Sequence, residues 1–138
     1  MIAGYATPEG TKKFVERHAE LPKQNYTNVH NLTLSNVGIG TYLGNPDIET
    51  DKLVEAAVKK SILGGINVVD SAINYRAQKA ERSMGNAISQ LINNNDISRE
   101  EIFVSTKNGY VTNDGDIQED LMQYVMREYG KTGIVNEG

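Results

Sequence analysis

The chain has 138 residues, a hydrophobic content of 38% and a formal net charge of −4. That fits one globular domain with its own core, and an acidic balance without any basic run gives a nucleic-acid partner no electrostatic support. The lack of cysteine excludes disulfide staples, thiolate metal sites and cysteine nucleophiles and fits a reducing cytoplasm; no apolar run approaches the roughly 20 residues that span a bilayer, and residues 1–10 carry neither the basic nor the apolar region of a secretory signal.

Residues 1–28 differ from the rest and read as an N-terminal extension lying on a domain. Thr11 to Leu21 suits one short polar helix with Phe14, Val15 and Ala19 on a face, stopped by Pro22. A regular alternation follows. Val29 to Leu34 is strand-like and able to pair as a hairpin with a short piece before or after it. Residues 37–42 form a short apolar strand that ends in small residues, and residues 44–47 a turn. Thr50 is the expected N-cap of a helix over 51–63, where Val54, Val58 and Ile62 recur at i, i+4 and i+8. Gly64-Gly65 supplies its stop.

The next strand, residues 66–70, is rich in β-branched residues, and a loop runs from Ser71 to Lys79. A helix is expected over 80–93, with Met84, Ala87, Ile88 and Leu91 inward. Ser98-Arg99-Glu100-Glu101 reads as a capping-box turn before a third strand at 102–107. A loop over 109–115 then leads to a last helix at about 117–129, capped by Asp116. Met84, Met122 and Met126 read as helix core. The acidic groups Asp47, Glu49 and Asp51, and Asp114 and Asp116, lack the spacing of a calcium loop and read as solvated turns and caps, with no metal site.

The rhythm is βαβαβα, which implies a parallel sheet with right-handed crossovers. An open doubly wound sheet and the start of a (β/α)₈ barrel both fit. Gly38-Ile39-Gly40-Thr41-Tyr42-Leu43 begins like a dinucleotide fingerprint, but Leu43 stands at the third glycine position and no helix opens directly on it.

In parallel α/β folds functional groups gather at the carboxyl ends of the strands. Three polar clusters fall there: Gly40-Thr41-Tyr42, Asp70 with the loop to Tyr75, and Lys107. A carboxylate and an ammonium at the ends of neighbouring strands would offset each other's desolvation. A simple buried ion pair at a sheet end accounts for them equally well. A positive charge beside a phenol favours phenolate, which suits a tyrosine near Lys107 to act as general acid toward a carbonyl oxygen. The bland alternative for Tyr75 is a half-buried loop tyrosine, one of seven in the chain.

Four blocks in this order carry a resemblance: Gly38-Ile39-Gly40-Thr41-Tyr42; Gly65-Ile66-Asn67-Val68-Val69-Asp70-Ser71-Ala72-Ile73-Asn74-Tyr75; Ala80-Glu81-Arg82-Ser83-Met84-Gly85; and Glu101-Ile102-Phe103-Val104-Ser105-Thr106-Lys107. Together they resemble the aldo-keto reductase family over about residues 29–110, and Ala6-Thr7-Pro8-Glu9-Gly10-Thr11 looks like a subgroup with an N-terminal extension. The resemblance implies a fold, the N-terminal part of a (β/α)₈ barrel over residues 29–138, with about three βα units preceded by the extension and a hairpin. It implies reduction of a small-molecule aldehyde or ketone with NADP(H), or else NAD(H). Tyr75 then matches the proton donor, Lys107 and Asp70 the pair that tunes it, and Gly40, Thr41, Tyr42 and Asp70 the groups beside the nicotinamide.

The departures are specific. The family's catalytic histidine follows a fourth strand, which this sequence does not reach, and neither His18 nor His30 matches it. The family's main cofactor-phosphate contacts come from later strands. Two readings follow: the front piece of a cytoplasmic reductase, inactive by itself, or a non-catalytic half-barrel that self-associates or pairs with a complementary C-terminal barrel segment. Residues 131–138, with no finishing helix or polar tail, favour the first.

Overall fold

The structure is a computed structural model that describes residues 2–117 and 119–133; the expectation for the last five residues, 134–138, lies outside them. Helix α1 spans Pro8–Arg17. It begins earlier than the sequence suggests because Thr7 and Pro8 start it together. The Thr7 hydroxyl accepts from the Gly10 amide at 3.0 Å, and proline at the first position loses a donor that would have no partner there.

The strand expected over residues 29–34 is instead interrupted by a hairpin turn. Strands β1, Tyr26–Val29, and β2, Leu32–Ser35, pair antiparallel with Val29 opposite Leu32. The two turn residues, His30 (φ 49) and Asn31 (φ 66), take the left-handed backbone that a tight two-residue hairpin needs.

The second sheet is parallel. Its strands are β3 Ile39–Gly40, β4 Val68–Asp70 and β5 Phe103–Ser105, in spatial order β3-β4-β5. The crossovers are α2, Ile48–Leu63, and α3, Lys79–Asn93, packed on one another. Asp47 rather than Thr50 caps α2, its carboxylate accepting from the Thr50 amide at 2.7 Å. The helix at the end is also shorter and later than expected. Helix α4, Leu121–Val125, is capped by Asp120 and runs on as a π-turn over Met126–Gly130. Asp116 does not cap it, because Lys79 and Arg82 take its carboxylate.

Val69 of β4, Val58 and Ile62 of α2, and Met84, Ala87, Ile88 and Leu91 of α3 form the core, joined by Phe14 of α1, Ile97 and Ile102. Met84 is core as its spacing predicts; Met122 is not, being 68% exposed on the short α4.

The amino ends of the parallel strands are closed from below. Asn67, fully buried just before β4, accepts from the Ser35 amide (2.8 Å) and donates to the carbonyls of Thr33 (2.9 Å) and Glu101 (3.4 Å). Glu101, also fully buried, receives Arg17 of α1 at 2.8 Å and the Ser98 hydroxyl at 3.3 Å. The expected capping box is therefore altered: the Ser98 side chain caps no amide of the 3₁₀ turn Arg99–Glu101, and Glu101 serves α1 instead. With hairpin, α1 and this turn all on one side, the opposite ends of the strands are left to the loops.

Phe14→Ala is expected to lower the unfolding free energy by about 3–5 kcal/mol in urea titration, the cost of emptying an aromatic core site. A loss below about 0.5 kcal/mol would show that α1 does not share the core.

Candidate active site

The parallel register sets the site. Gly40 stands opposite Asp70, and Asp70 opposite Ser105. Backbone bonds continue the pairing past the strand ends: Thr41 N to Asp70 O at 3.1 Å, Ser71 N to Ser105 O at 2.9 Å, and Ile73 N to Lys107 O at 3.1 Å. The three loops are thus stitched together where they leave the sheet.

Thr41 is 2% exposed. Its hydroxyl reaches the Asp70 carbonyl (3.1 Å) and the Ser71 hydroxyl (2.9 Å). Its neighbours are open: a side chain at Gly40 would meet nothing within 4 Å, and Tyr42 is 64% exposed. The Tyr42 and Tyr75 rings meet edge to face, with centroids 4.9 Å apart and planes at 71°, a favoured aromatic geometry.

Lys107 Nζ has three acceptors: Asp70 Oδ2 at 2.7 Å, Asp70 Oδ1 at 2.9 Å and the Ser71 carbonyl at 2.9 Å. The same ammonium stands 5.0 Å from the centre of the Tyr75 ring. Its bond to Asp70 holds the Lys107 pKa above the ordinary lysine range against the opposing cost of desolvation, and Tyr75 adds a smaller push in the same direction. The cation therefore persists to higher pH than a free lysine would allow.

The structure thus brings Thr41, Tyr42, Asp70, Tyr75 and Lys107 into one cluster with Gly40 at its edge. It departs from the expectation of a buried pair, since the Lys107 and Asp70 side chains are 48% and 41% exposed. Solvent screens such a pair, so it contributes little to folding; what it does is fix the ammonium beside the phenol ring. Lys107 also lines a cavity of about 410 Å³ together with Ile73, Glu81, Thr106 and Asn108.

Sequence reasoning missed a second layer. Arg76 Nη1 lies 2.7 Å from Asp51 Oδ1, and Lys79 Nζ 2.8 Å from Asp51 Oδ2. Lys79 also holds Asp116 at 2.5 Å, while Arg82 clasps Asp114 at 2.6 and 2.8 Å and contacts Asp116. Of the acids read as solvated turns and caps, Asp47 does cap a helix, but Asp51, Asp114 and Asp116 are ion-paired. The overlooked signal was the spacing of the cations: Arg76, Lys79 and Arg82 recur every three residues through the turn into α3.

Neither histidine reaches this cluster. His18 packs on Phe14 with ring centroids 4.7 Å apart, beside Gly65 on the amino side of β4. His30 sits in the hairpin turn.

A three-stranded parallel sheet crossed by two helices, with a carboxylate, an ammonium and a phenol gathered at its carboxyl ends, defines an α/β protein. The sequence model of the aldo/keto reductase family matches residues 36–132. That span contains the whole parallel sheet and the cluster, and the chain belongs to the aldo/keto reductase family, a family of oxidoreductases. No curated protein matches the chain.

The clasp on residues 114–116 has a definite acid response. Arg82 holds Asp114 down from 3.8 to about 2, and Lys79 and Arg82 lower Asp116 as well. Carboxylates with depressed pKa stabilise the folded state above the unfolded value and lose that contribution as pH falls through the folded one. The Gly115 amide, bonded to Ala77 O at 2.8 Å, should stay protected above pH 3.8 and open as pH approaches about 2. Arg82→Gln should move that opening upward in amide-exchange NMR, and an unmoved midpoint would show that the clasp does not hold the segment.

Proposed function

We propose that this chain carries the proton-donating rim of an NADP(H)- or NAD(H)-dependent reductase that converts an aldehyde or ketone to an alcohol. The observation that supports it is the convergence of Asp70, Tyr75 and Lys107 at adjoining strand ends, with the ammonium bound by the carboxylate and standing 5.0 Å from the phenol ring. In this reading the Tyr75 hydroxyl donates a proton to the carbonyl oxygen. The Lys107 cation stabilises the phenolate left behind, and Asp70 keeps that lysine charged and in place.

Gly40, Thr41, Tyr42 and Asp70 fit the ring end of a dinucleotide: there is open space over Gly40, a fixed hydroxyl behind it and an exposed aromatic face at Tyr42. A reduced nicotinamide bound there would supply the hydride. The fit stops at that end, because Arg76, Lys79 and Arg82 are all engaged with carboxylates and leave the phosphates to other segments.

We further propose that residues 29–138 form the first three βα units of a (β/α)₈ barrel, with residues 1–28 as an extension beneath it. Further barrel units, from a complementary C-terminal segment, would cover apolar side chains that stand exposed here, among them Val37, Leu43 and Val111. Self-association would cover the same groups. No helix among the described residues is long and apolar enough to cross a membrane, and the cysteine-free composition suits the cytoplasm in which this reading places the protein.

In the assembled reductase, Tyr75→Phe should lower turnover about 10²–10⁴-fold, the usual worth of a positioned acid, while NADPH affinity by fluorescence titration stays at the wild-type value. Equal losses in both would contradict the role. The 138-residue chain by itself should oxidise NADPH negligibly with an activated aldehyde such as 4-nitrobenzaldehyde, since its described residues bring no histidine to the cluster. Robust turnover by the pure chain would overturn that expectation.

A further inference from the structure

The turn that follows Tyr75 is built against backbone preference. Arg76 (φ 50), Ala77 (φ 51) and Gln78 (φ 71) are three consecutive residues in the left-handed region, and none is glycine. A Cβ makes each of these conformations unfavourable, and such a run persists only where its surroundings over-determine it.

The surroundings are largely one side chain. Arg76 is 1% exposed at its side chain and donates to Asp51 Oδ1 (2.7 Å), Ser83 Oγ (3.0 Å) and the Asn45 carbonyl (3.5 Å). Its Nε has no acceptor among the described residues, so the hold runs through the two terminal nitrogens. Asp51 lies in the first turn of α2, Ser83 on α3, and Asn45 in the loop that also carries Tyr42. One guanidinium therefore ties the Tyr75 loop to both crossover helices and to the neighbouring loop of the site. The carboxylate that anchors it is itself fixed by Lys79 (2.8 Å) and Ser83 (3.1 Å). Local backbone bonds, Tyr75 N to Ala72 O at 3.1 Å and Ala80 N to Tyr75 O at 3.3 Å, hold the phenol's own residue on both sides.

A glycine at position 76 would take up its own left-handed backbone without strain. An arginine that accepts the strain and buries its charge is an anchor for what stands next to it. We propose that Arg76, held by Asp51, is the positioning residue that fixes the Tyr75 ring beside Lys107 and against Tyr42. This inference rests on the reading of Tyr75 as proton donor; Arg76 touches no reacting atom and acts through its neighbour.

The test uses the 138-residue chain with isotope-labelled tyrosine and lysine. In the wild type, NMR cross-relaxation should connect the Tyr75 ring to the Tyr42 ring and to the Lys107 methylenes. Arg76→Gly relieves the backbone and removes the anchor. It should keep the core methyl signals of Val69 and Ile88 and lose both Tyr75 contacts. Asp51→Asn should weaken the same contacts, and Arg76→Lys, which restores a charge for Asp51, should recover them in part. Both contacts at wild-type strength in Arg76→Gly overturn the proposal. Should Arg76→Gly lose the core signals too, Ser83→Ala removes a single bond from the guanidinium and should weaken the contacts with the core intact; unchanged contacts there overturn it equally.

In the assembled reductase, Arg76→Gly should lower kcat about 10²-fold, as a displacement on the scale of 1 Å does, with the carbonyl KM changed far less. The ring contacts are read without turnover, so the two readings fail separately. A displaced ring alongside an unimpaired Tyr75→Phe enzyme keeps the positioning and removes the chemistry. An undisplaced ring alongside an inactive Tyr75→Phe enzyme does the reverse.

Discussion

Gly40, Asp70 and Ser105 stand side by side in the parallel ladder, and most of what this protein offers chemically follows from that register. Successive residues of a strand point to opposite faces, so a slip of one position would turn Asp70 away from its neighbours. With the register as observed, the loops after three strands leave the sheet at one level and bond to each other at once. Asp70 then meets Lys107 across the gap between β4 and β5, and Thr41 locks onto Asp70 and Ser71 across the gap between β3 and β4. The ion pair is too open to stabilise the fold appreciably. Its consequence is positional: an ammonium that stays charged and stands beside a phenol.

The two ends of the sheet are built by different physics. At the amino ends, buried polar groups are almost all satisfied within the protein: Asn67 bridges hairpin, sheet and 3₁₀ turn, and Arg17 meets the buried Glu101. Leaving such groups unpaired would be costly, so this face is fixed and closed. At the carboxyl ends, the polar groups nearest the cavity remain half-exposed, and rigidity comes instead from a ring behind them in which Arg76, Lys79 and Arg82 hold Asp51, Asp114 and Asp116. That ring carries the strained turn after Tyr75 and clasps the segment that runs on from Lys107. It places rigidity around these half-exposed groups without burying them.

Much of this was legible in the sequence. The helical recurrence of Val54, Val58 and Ile62 and of Met84, Ala87, Ile88 and Leu91 located both crossover helices, because burial of one face is what that period encodes. The β-branched run ending in Asp70 located the central strand, and the four motif blocks pointed to the family. Two local signals were passed over: Thr7 with Pro8, a cap and a first-turn proline that start α1 ahead of Thr11, and His30-Asn31, a two-residue turn that splits a strand-like run into a hairpin. The rest depended on partners distant in the chain. Asp116 looked like a helix cap because its neighbours in sequence suggested one, while Lys79 and Arg82, more than thirty residues back, decided its role. Arg76 gave no local sign of its left-handed backbone, since nothing short of the Asp51 and Ser83 contacts would hold an arginine there.

If the strand register makes Asp70, Tyr75 and Lys107 a single unit, the lysine and the tyrosine must respond together when the carboxylate is removed. This is tested most directly by titrating the Lys107 side chain with isotope-edited NMR, in the wild-type protein and in Asp70→Asn, while watching its methylene contacts with the Tyr75 ring. The wild-type ammonium should persist above the ordinary lysine value of 10.5, Asp70→Asn should return it toward that value, and the ring contact should be present in the wild type. Titration at the ordinary value in both proteins, with no contact to Tyr75, would contradict the single unit.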